Sequence, residues 1–256
     1  MRIMKKVLLT LLLCSCVFAL DKIVGVSIAP YKALVEKICP AEYKVLILSS
    51  GMQDPHTFEP TIKEMQAFQQ SHIWFLSNES FENGVQKKLQ LKTQTLSTPN
   101  QDPHTFLSCK QLKAQVSIIV STLSTIFPDD ALEIEKNGTQ LLLELSALDL
   151  GFEHSKGHYL MTLHDCFYHV CKDYQKTQIA IEKHGKETTF LHLDKLLKEA
   201  SSKQIKVIFT QPQYSQKSAT QVAKKIGADL VELNIYQEDL FQTLHTLLEF
   251  LNENSN

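Results

Sequence analysis

The sequence predicts an α/β fold with two parallel-sheet α/β lobes joined by one long helix. Short apolar stretches alternate with helical stretches from residue 22 to residue 89, and a second alternation begins at residue 158. This pattern is typical of parallel sheets whose faces are covered by helices. A long leucine-rich helical segment lies between the two series, so we expect two lobes with a helix between them.

The individual elements follow from apolar periodicity and from residues that start or end helices. In the first series we predict strands at residues 22–27, 43–48 and 73–76, and helices at 30–38, 62–70 and 81–89. In the second series we predict strands at 159–163, 178–181, 207–210 and 230–233, and helices at 164–174, 191–201, 215–227 and 239–251. Gly227 is expected to end its helix in the left-handed conformation.

Two helical stretches, residues 108–126 and 129–150, connect the two series. Pro128 ends the first, and the aspartates that follow it start the second. The second stretch carries more leucine than a solvent-facing helix should, so we expect it to pack against both lobes as a spacer. An ordinary core helix is the alternative. The predicted organisation is a signal peptide at 1–19, an N-terminal lobe at 20–127, a linker helix at 128–153 and a C-terminal lobe at 154–256.

The first 19 residues have the pattern of a secretory signal. Basic residues precede an apolar run at residues 7–17, and Val17-Phe18-Ala19 suits a signal peptidase. The run is shorter than the roughly 20 residues that a membrane span needs. A lipoprotein signal with Cys16 as the lipidated N-terminus is the alternative, and either reading predicts a periplasmic protein.

Composition excludes several classes of protein. The net charge is −2, and neither a basic stripe nor a glycine-rich phosphate loop occurs, so a nucleic-acid or nucleotide partner lacks support. After cleavage at Ala19 four cysteines remain, too few for a disulfide scaffold. They can form at most a bridge or two, and helical spacing argues against a bond between Cys166 and Cys171. The four are Cys39, Cys109, Cys166 and Cys171.

A five-residue motif, Asp-Pro-His-Thr-Phe, occurs at residues 54–58 and again at 102–106. Each copy precedes a capping-box pattern, Thr61-x-x-Glu64 and Ser108-x-x-Gln111, so each histidine should lie beside a helix N-terminus. The proline restricts its own φ and the backbone of the preceding aspartate, so the imidazole is presented from a stiff turn. The repeat therefore predicts that His56 and His104 are metal ligands.

A third histidine, His164, follows an apolar strand directly. Ligands of parallel sheets bind beyond the carboxyl ends of the strands, so we expect His164 to complete the site. We interpret His72 as structural, because it leads into a strand. The remaining histidines are scattered, with His158 and His169 the best further candidates; the full set is His154, His158, His169, His184, His192 and His245.

These residues resemble the solute-binding subunits of zinc and manganese ABC transporters over nearly the whole exported chain. The family's Gly-x-Asp-Pro-His-x-Phe/Tyr-Glu-Pro-x motif is matched by residues 51–61, its second Asp-Pro-His by 102–104 and its His-Asp-Ala-Phe by 164–167; residues 185–187 and 207–212 are also similar. The resemblance implies two lobes joined by one long rigid helix, a divalent ion between them, and delivery of that ion to a membrane ABC permease. We further expect a monomer that is not an enzyme.

The chain departs from the family at the fourth ligand. Gln211 and Asn234 stand where members often carry a carboxylate, and the long His-rich loop of many zinc members is missing. The fourth donor is therefore predicted to be the Asn234 oxygen, the Gln211 oxygen or water, with Glu238 and Asp239 as less favoured carboxylates. Three neutral nitrogens favour Zn²⁺, with Mn²⁺ as the alternative.

Two other functions stay open at this point. A zinc metalloenzyme can use three histidines and an open water position, but no His-Glu-x-x-His or comparable base is present. An adhesin or interaction protein of the same fold would bind metal weakly or not at all.

Overall fold

The structure is a computed structural model that describes residues 21–97, 102–182 and 190–253, with side chains omitted at 190–192. The predicted signal segment, the family-like stretch 185–187, His184 and the His192 side chain lie outside the described residues.

The described residues contain eight β-strands and nine α-helices. The strands are β1 (Ile23–Ile28), β2 (Lys44–Ser49), β3 (Ile73–Leu76), β4 (Thr93–Thr95), β5 (Tyr159–His164), β6 (Thr177–Glu182), β7 (Val207–Thr210) and β8 (Asp229–Glu232). The helices are α1 (Ala29–Ile38), α2 (Ile62–Phe68), α3 (Glu82–Leu89), α4 (Cys109–Ile126), α5 (Ala131–His154), α6 (Tyr168–Asp173), α7 (Phe190–Ser202), α8 (Lys217–Ile226) and α9 (Leu240–Glu253). Short 3-10 segments cover His104–Leu107 and Pro128–Asp130.

The strands form two four-stranded sheets, ordered β2-β1-β3-β4 and β6-β5-β7-β8, and every pairing is parallel. The predicted α/β fold with two lobes is confirmed. Both lobes repeat one strand order, so in each the first strand of the lobe lies inside the sheet. Strand β4 was not predicted, because Thr-Gln-Thr is short and lacks the apolar residues that signal a strand.

Helix α5 spans 24 residues and packs against α4, against α1 of the N-terminal lobe and against α9 of the C-terminal lobe. The predicted contact with both halves is therefore confirmed. Only some of the leucines of α5 take part in this packing: Leu141 and Leu145 are buried, whereas Leu132 and Leu143 are exposed. One continuous apolar core runs through both lobes and the α4–α5 pair. This shared core fixes the position of one sheet relative to the other.

Helix boundaries agree with the expected signals in most places, with one correction. Thr61 and Glu64 form the predicted capping box, and Gly227 ends α8 with φ +71°. The capping box predicted at Ser108 is wrong. Ser108 Oγ and Gln111 Nε2 both donate to Asp173 Oδ2, at 2.6 Å and 2.9 Å, because the end of α6 packs there and offers a stronger acceptor.

The cysteines of the described residues, Cys39, Cys109, Cys166 and Cys171, are all buried and free. Burial raises the pKa of each thiol, that of Cys39 to about 12, so these groups are poor metal ligands at neutral pH. Within the described ranges, no helix has the length and apolar character required to cross a bilayer.

Candidate metal centre

The first Asp-Pro-His copy forms a tight turn beyond the carboxyl end of β2. Asp54 Oδ1 accepts a hydrogen bond from the backbone N–H of His56 at 3.0 Å, and the Asp54 carbonyl accepts from the backbone N–H of Thr57 at 3.1 Å. Ser80 Oγ donates to the His56 carbonyl at 2.9 Å. The local sequence thus determines where the His56 ring projects.

The second copy repeats the aspartate side-chain hydrogen bond of the first and then continues into the 3-10 segment His104–Leu107. Asp102 Oδ1 accepts from the backbone N–H of His104 at 2.9 Å and also lies 3.0 Å from His104 Nδ1. Burial raises the pKa of Asp102, but the hydrogen bond and charge of His104 lower it more, so the pKa is held below its usual range. An ionised carboxylate only accepts, so Nδ1 carries the proton of neutral His104 and Nε2 carries the lone pair.

His164 is the last residue of β5, and its ring stacks on Tyr214 with centroids 4.6 Å apart and an interplanar angle of 18°. Tyr214 Oη donates in turn to Asp54 Oδ1 at 3.0 Å. Because Tyr214 belongs to the C-terminal lobe and Asp54 to the N-terminal lobe, this hydrogen bond joins the His164 and His56 segments.

The three predicted histidines meet at one point between the lobes. Their ring centroids are 5.4 Å (His56–His104), 5.3 Å (His56–His164) and 5.4 Å (His104–His164) apart. One nitrogen from each ring lies within 4.8 Å of the other two. Zinc bonds to imidazole nitrogen at about 2.0–2.1 Å, so three nitrogens in this arrangement can hold one ion after small side-chain shifts. His104 and His164 are buried and His56 is half-buried at the wall of a cavity of about 700 Å³.

A carboxylate that the sequence analysis did not single out also faces this cluster. Glu79 is 2% exposed, and its Oε2 lies 3.2 Å from His56 Nδ1. Burial by itself lowers the pKa of His56, but the hydrogen bond and charge of Glu79, with the charges of Asp54 and Asp102, raise it above its ordinary value. The available signal was position, because Glu79 follows buried β3 in the same way that His56 follows β2.

The second missed residue is Tyr236, whose hydroxyl lies 2.8 Å from His104 Nε2. Since Nε2 holds the lone pair, the tyrosine donates this hydrogen bond. Tyr236 is fully buried and comes from the loop after β8, so it crosses from the C-terminal lobe. The backbone of Tyr236 packs against Gly51. A Cβ on Gly51 would lie 1.9 Å from the Tyr236 carbonyl oxygen, and Gly51 has φ +79°. Only glycine fits there.

The predicted fourth donors have other partners in the structure. Gln211 Nε2 donates to Thr162 Oγ1 at 3.2 Å, and Gln211 Oε1 is buried with no hydrogen-bond partner among the described residues. Asn234 Oδ1 accepts from Gln213 Nε2 at 2.8 Å and from the Tyr236 backbone N–H at 3.1 Å. Their role as ligands stays a prediction. The less favoured Glu238 and Asp239 lie elsewhere: Glu238 pairs with Lys32 at 2.5 Å, and Asp239 Oδ1 accepts from the Gln242 backbone N–H at 2.9 Å.

The other histidines with described side chains have different environments. The Ile23 backbone N–H donates to His72 Nδ1 at 3.2 Å, which supports the structural interpretation of His72. His169 is buried, and its Nε2 donates to the Asp102 carbonyl at 2.9 Å, so it supports the His104 turn. His154, His158 and His245 are exposed.

Comparison with known families identifies the chain. Residues 24–256 match the family described as zinc-uptake complex component A, periplasmic. The chain belongs to this family. Its fold is shared by a crystal structure of ZnuA, with a TM-score of 0.85 and 25% identity over 92% of this chain and 100% of that one. A zinc-bound ZnuA variant lacking residues 138–173 matches with a TM-score of 0.82 and 27% identity, over 92% of this chain and 99% of that one.

Curated relatives of this chain are also metal-binding proteins by name. A Chlamydia muridarum protein named as a candidate metal-binding protein is 28% identical over 243 residues, covering 88% of each chain. Zinc-binding lipoprotein AdcA of Streptococcus pneumoniae is 25% identical over 224 residues, covering 74% of this chain and 44% of AdcA. The laminin-binding protein Lmb of Streptococcus agalactiae shares the fold, with a TM-score of 0.82 at 19% identity over 92% of this chain and 100% of that one.

Family membership establishes the general class of this component. It is a metal-binding, solute-binding protein of ABC-type uptake, and its family is extracytoplasmic. The family is a transport component and not a family of enzymes.

Proposed function

We propose that this protein captures one Zn²⁺ ion between its lobes with His56, His104 and His164 and delivers it to a membrane ABC permease. The observation that carries the proposal is the convergence of the three rings within 5.4 Å of one another from three separate strand ends. His56 and His104 belong to the N-terminal lobe and His164 to the C-terminal lobe. A bound ion would therefore take ligands from both lobes.

Ligand chemistry supports zinc over manganese. Three imidazole nitrogens suit tetrahedral Zn²⁺, whereas Mn²⁺ prefers oxygen ligands and higher coordination. The matched family, the zinc-bound ZnuA variant and AdcA all have zinc in their descriptions. The fourth position is open to Asn234, Gln211 or water, as the sequence suggested.

Export across the inner membrane would bring the protein to the compartment where it meets its cargo. The signal pattern at residues 1–19, with Cys16 as the alternative lipid anchor, supports a periplasmic protein that is free or tethered. We propose that it acts as a monomer, because both lobes of one chain contribute ligands to the same ion.

The test is metal titration of the mature protein, freed of metal by a chelator. We expect one Zn²⁺ per chain and much weaker Mn²⁺ binding in direct competition. Preference for Mn²⁺ would overturn the choice of cargo, and no stoichiometric binding of either ion would overturn the function and favour an adhesin. Hydrolysis of simple esters or hydration of carbon dioxide by the zinc-loaded protein would instead indicate a metalloenzyme.

Tyr236 should weaken zinc binding, because its hydroxyl donates to the His104 lone pair that the ion must take. We expect Tyr236→Phe to bind Zn²⁺ about two- to tenfold more tightly, since a typical hydrogen bond contributes about 0.5–1.5 kcal/mol. Isothermal titration of both proteins at one pH measures this change. Tyr43→Phe is the matched control, because its hydroxyl bonds to Asp130 away from the site. Weaker zinc binding by Tyr236→Phe would show instead that the phenol oxygen assists the ion.

A further inference from the structure

Glu79 lies on a loop whose backbone is held rigidly. The loop leaves β3 at Ser77 and turns at Asn78, which has φ +72°. The Glu82 carboxylate accepts hydrogen bonds from the Ser77 backbone N–H at 2.7 Å, from Ser77 Oγ at 2.9 Å and from the Asn78 backbone N–H at 3.0 Å. This clamp determines the position of the next residue, Glu79, in the wall of the histidine cavity.

The buried Glu79 carboxylate lies against the His56 ring. It is 2% exposed, Oε2 lies 3.2 Å from His56 Nδ1, and neither carboxylate oxygen receives a hydrogen bond from any other described group. An ionised carboxylate that is buried costs free energy unless it is paired with a charge or hydrogen-bonded. A cation in the cavity would therefore stabilise an ionised Glu79 carboxylate.

We propose that Glu79 is the positioning residue of the metal site: it accepts a hydrogen bond from His56 Nδ1–H, which directs His56 Nε2 to the ion, and it supplies negative charge next to the ligand set. This inference rests on the proposed function of the three histidines. Ligating histidines commonly donate their other ring N–H to a carboxylate, which orients the ring and increases its basicity.

The geometry distinguishes this role from direct ligation. The group of mutually close ligand atoms found among the described residues contains the three histidines and not Glu79. Asp102 has the same relation to His104, at 3.0 Å from Nδ1. Two carboxylates, each behind a different histidine, thus offset the double charge of an ion whose ligands are neutral. This explains how the site tolerates amides where the family often carries a carboxylate.

The test compares Glu79→Gln and Glu79→Leu with the native protein by competition against a chromophoric zinc chelator at pH 7.5. Gln keeps an acceptor and loses the charge, whereas Leu loses both. We expect zinc affinity to fall about 10- to 100-fold, and further for Leu than for Gln. Long-range ¹H–¹⁵N spectra should show zinc on His56 Nε2 with the proton on Nδ1 in the native protein, and a mixture of tautomers in metal-free Glu79→Leu.

Glu182→Gln is the matched control, because Glu182 lines the same cavity but accepts from Ser218 Oγ at 2.6 Å. It should lower affinity by less than about threefold. Circular dichroism of each metal-free variant checks the fold. Native-like zinc affinity in both Glu79 variants, an equal loss in Glu182→Gln, or zinc on His56 Nδ1 would overturn the role of Glu79 alone. Failure of the native protein to bind zinc would overturn the proposed function itself.

Discussion

Replacing His56 with Ala should lower zinc affinity about 60- to 700-fold. Zinc sites in peptides have apparent binding free energies of about 10–16 kcal/mol, so one of four ligand positions contributes about 2.5–4 kcal/mol, and 1.4 kcal/mol is a factor of ten. His104→Ala and His164→Ala should have losses of the same order, and the triple variant should not bind stoichiometrically. Competition titration with a zinc chelator measures all four proteins.

Of the three Ala variants, His56→Ala should disturb the fold least. The His56 side chain is 29% exposed, whereas His104 and His164 are buried in packed surroundings. A melting curve of each metal-free variant therefore accompanies the titration. The exposed histidines His158 and His245 provide matched controls, and their Ala variants should bind as the native protein does. A triple variant with native stoichiometry and affinity would refute this site.

Acidification should release the ion, and it should do so at a higher pH than for an ordinary histidine site. Only neutral imidazole ligates, and the pKa of His56 lies above its usual value because Glu79 and the nearby aspartates outweigh the effect of burial. Proton competition therefore begins above about pH 6.5, the ordinary histidine pKa. Zinc affinity should fall at least about tenfold between pH 7.5 and pH 5.5, and more if a second imidazole titrates.

The raised pKa of His56 also affects the stability of the metal-free protein, and it does so in the opposite direction: it stabilises the fold at low pH. A histidine pKa that is raised in the folded state contributes stability that is fully present below the unfolded value and is lost as the pH rises through the folded value. Zinc affinity rises with pH, whereas this stabilisation of the metal-free protein is lost. The increase in melting temperature on adding zinc should therefore grow from pH 5.5 to pH 7.5. His56→Ala should flatten the pH dependence of affinity by about one proton. Equal affinity at the two pH values would argue that these histidines are not the ligands.

Local sequence predicted much of the fold and the three central histidines. The alternation of strands and helices predicted both lobes, since apolar period and helix caps depend on residues close in the chain. The repeated Asp-Pro-His motif predicted two turns that the structure forms with the same aspartate hydrogen bond. Strand-end position predicted His164.

Packing decided what the local patterns could not. Ser108 has the sequence of a cap, but Asp173 from α6 takes its hydroxyl, because a partner from a distant element competes with the helix N-terminus. The exposed leucines of α5 likewise show that composition does not determine which side of a helix is covered.

The charged and hydroxyl groups around the three histidines were also decided by tertiary structure. Glu79 lies on another strand end from His56, and Tyr236 is 132 residues from His104. No motif links these residues. The Glu79–His56 contact arises because β2 and β3 end at the same edge of one sheet, and the Tyr236–His104 contact arises because the two lobes meet at one cavity. The sequence by itself determined which imidazoles are offered and on which turns. The tertiary structure decided that Glu79 and Tyr236 contact them, since these contacts depend on how the strands of one sheet and the two lobes pack together.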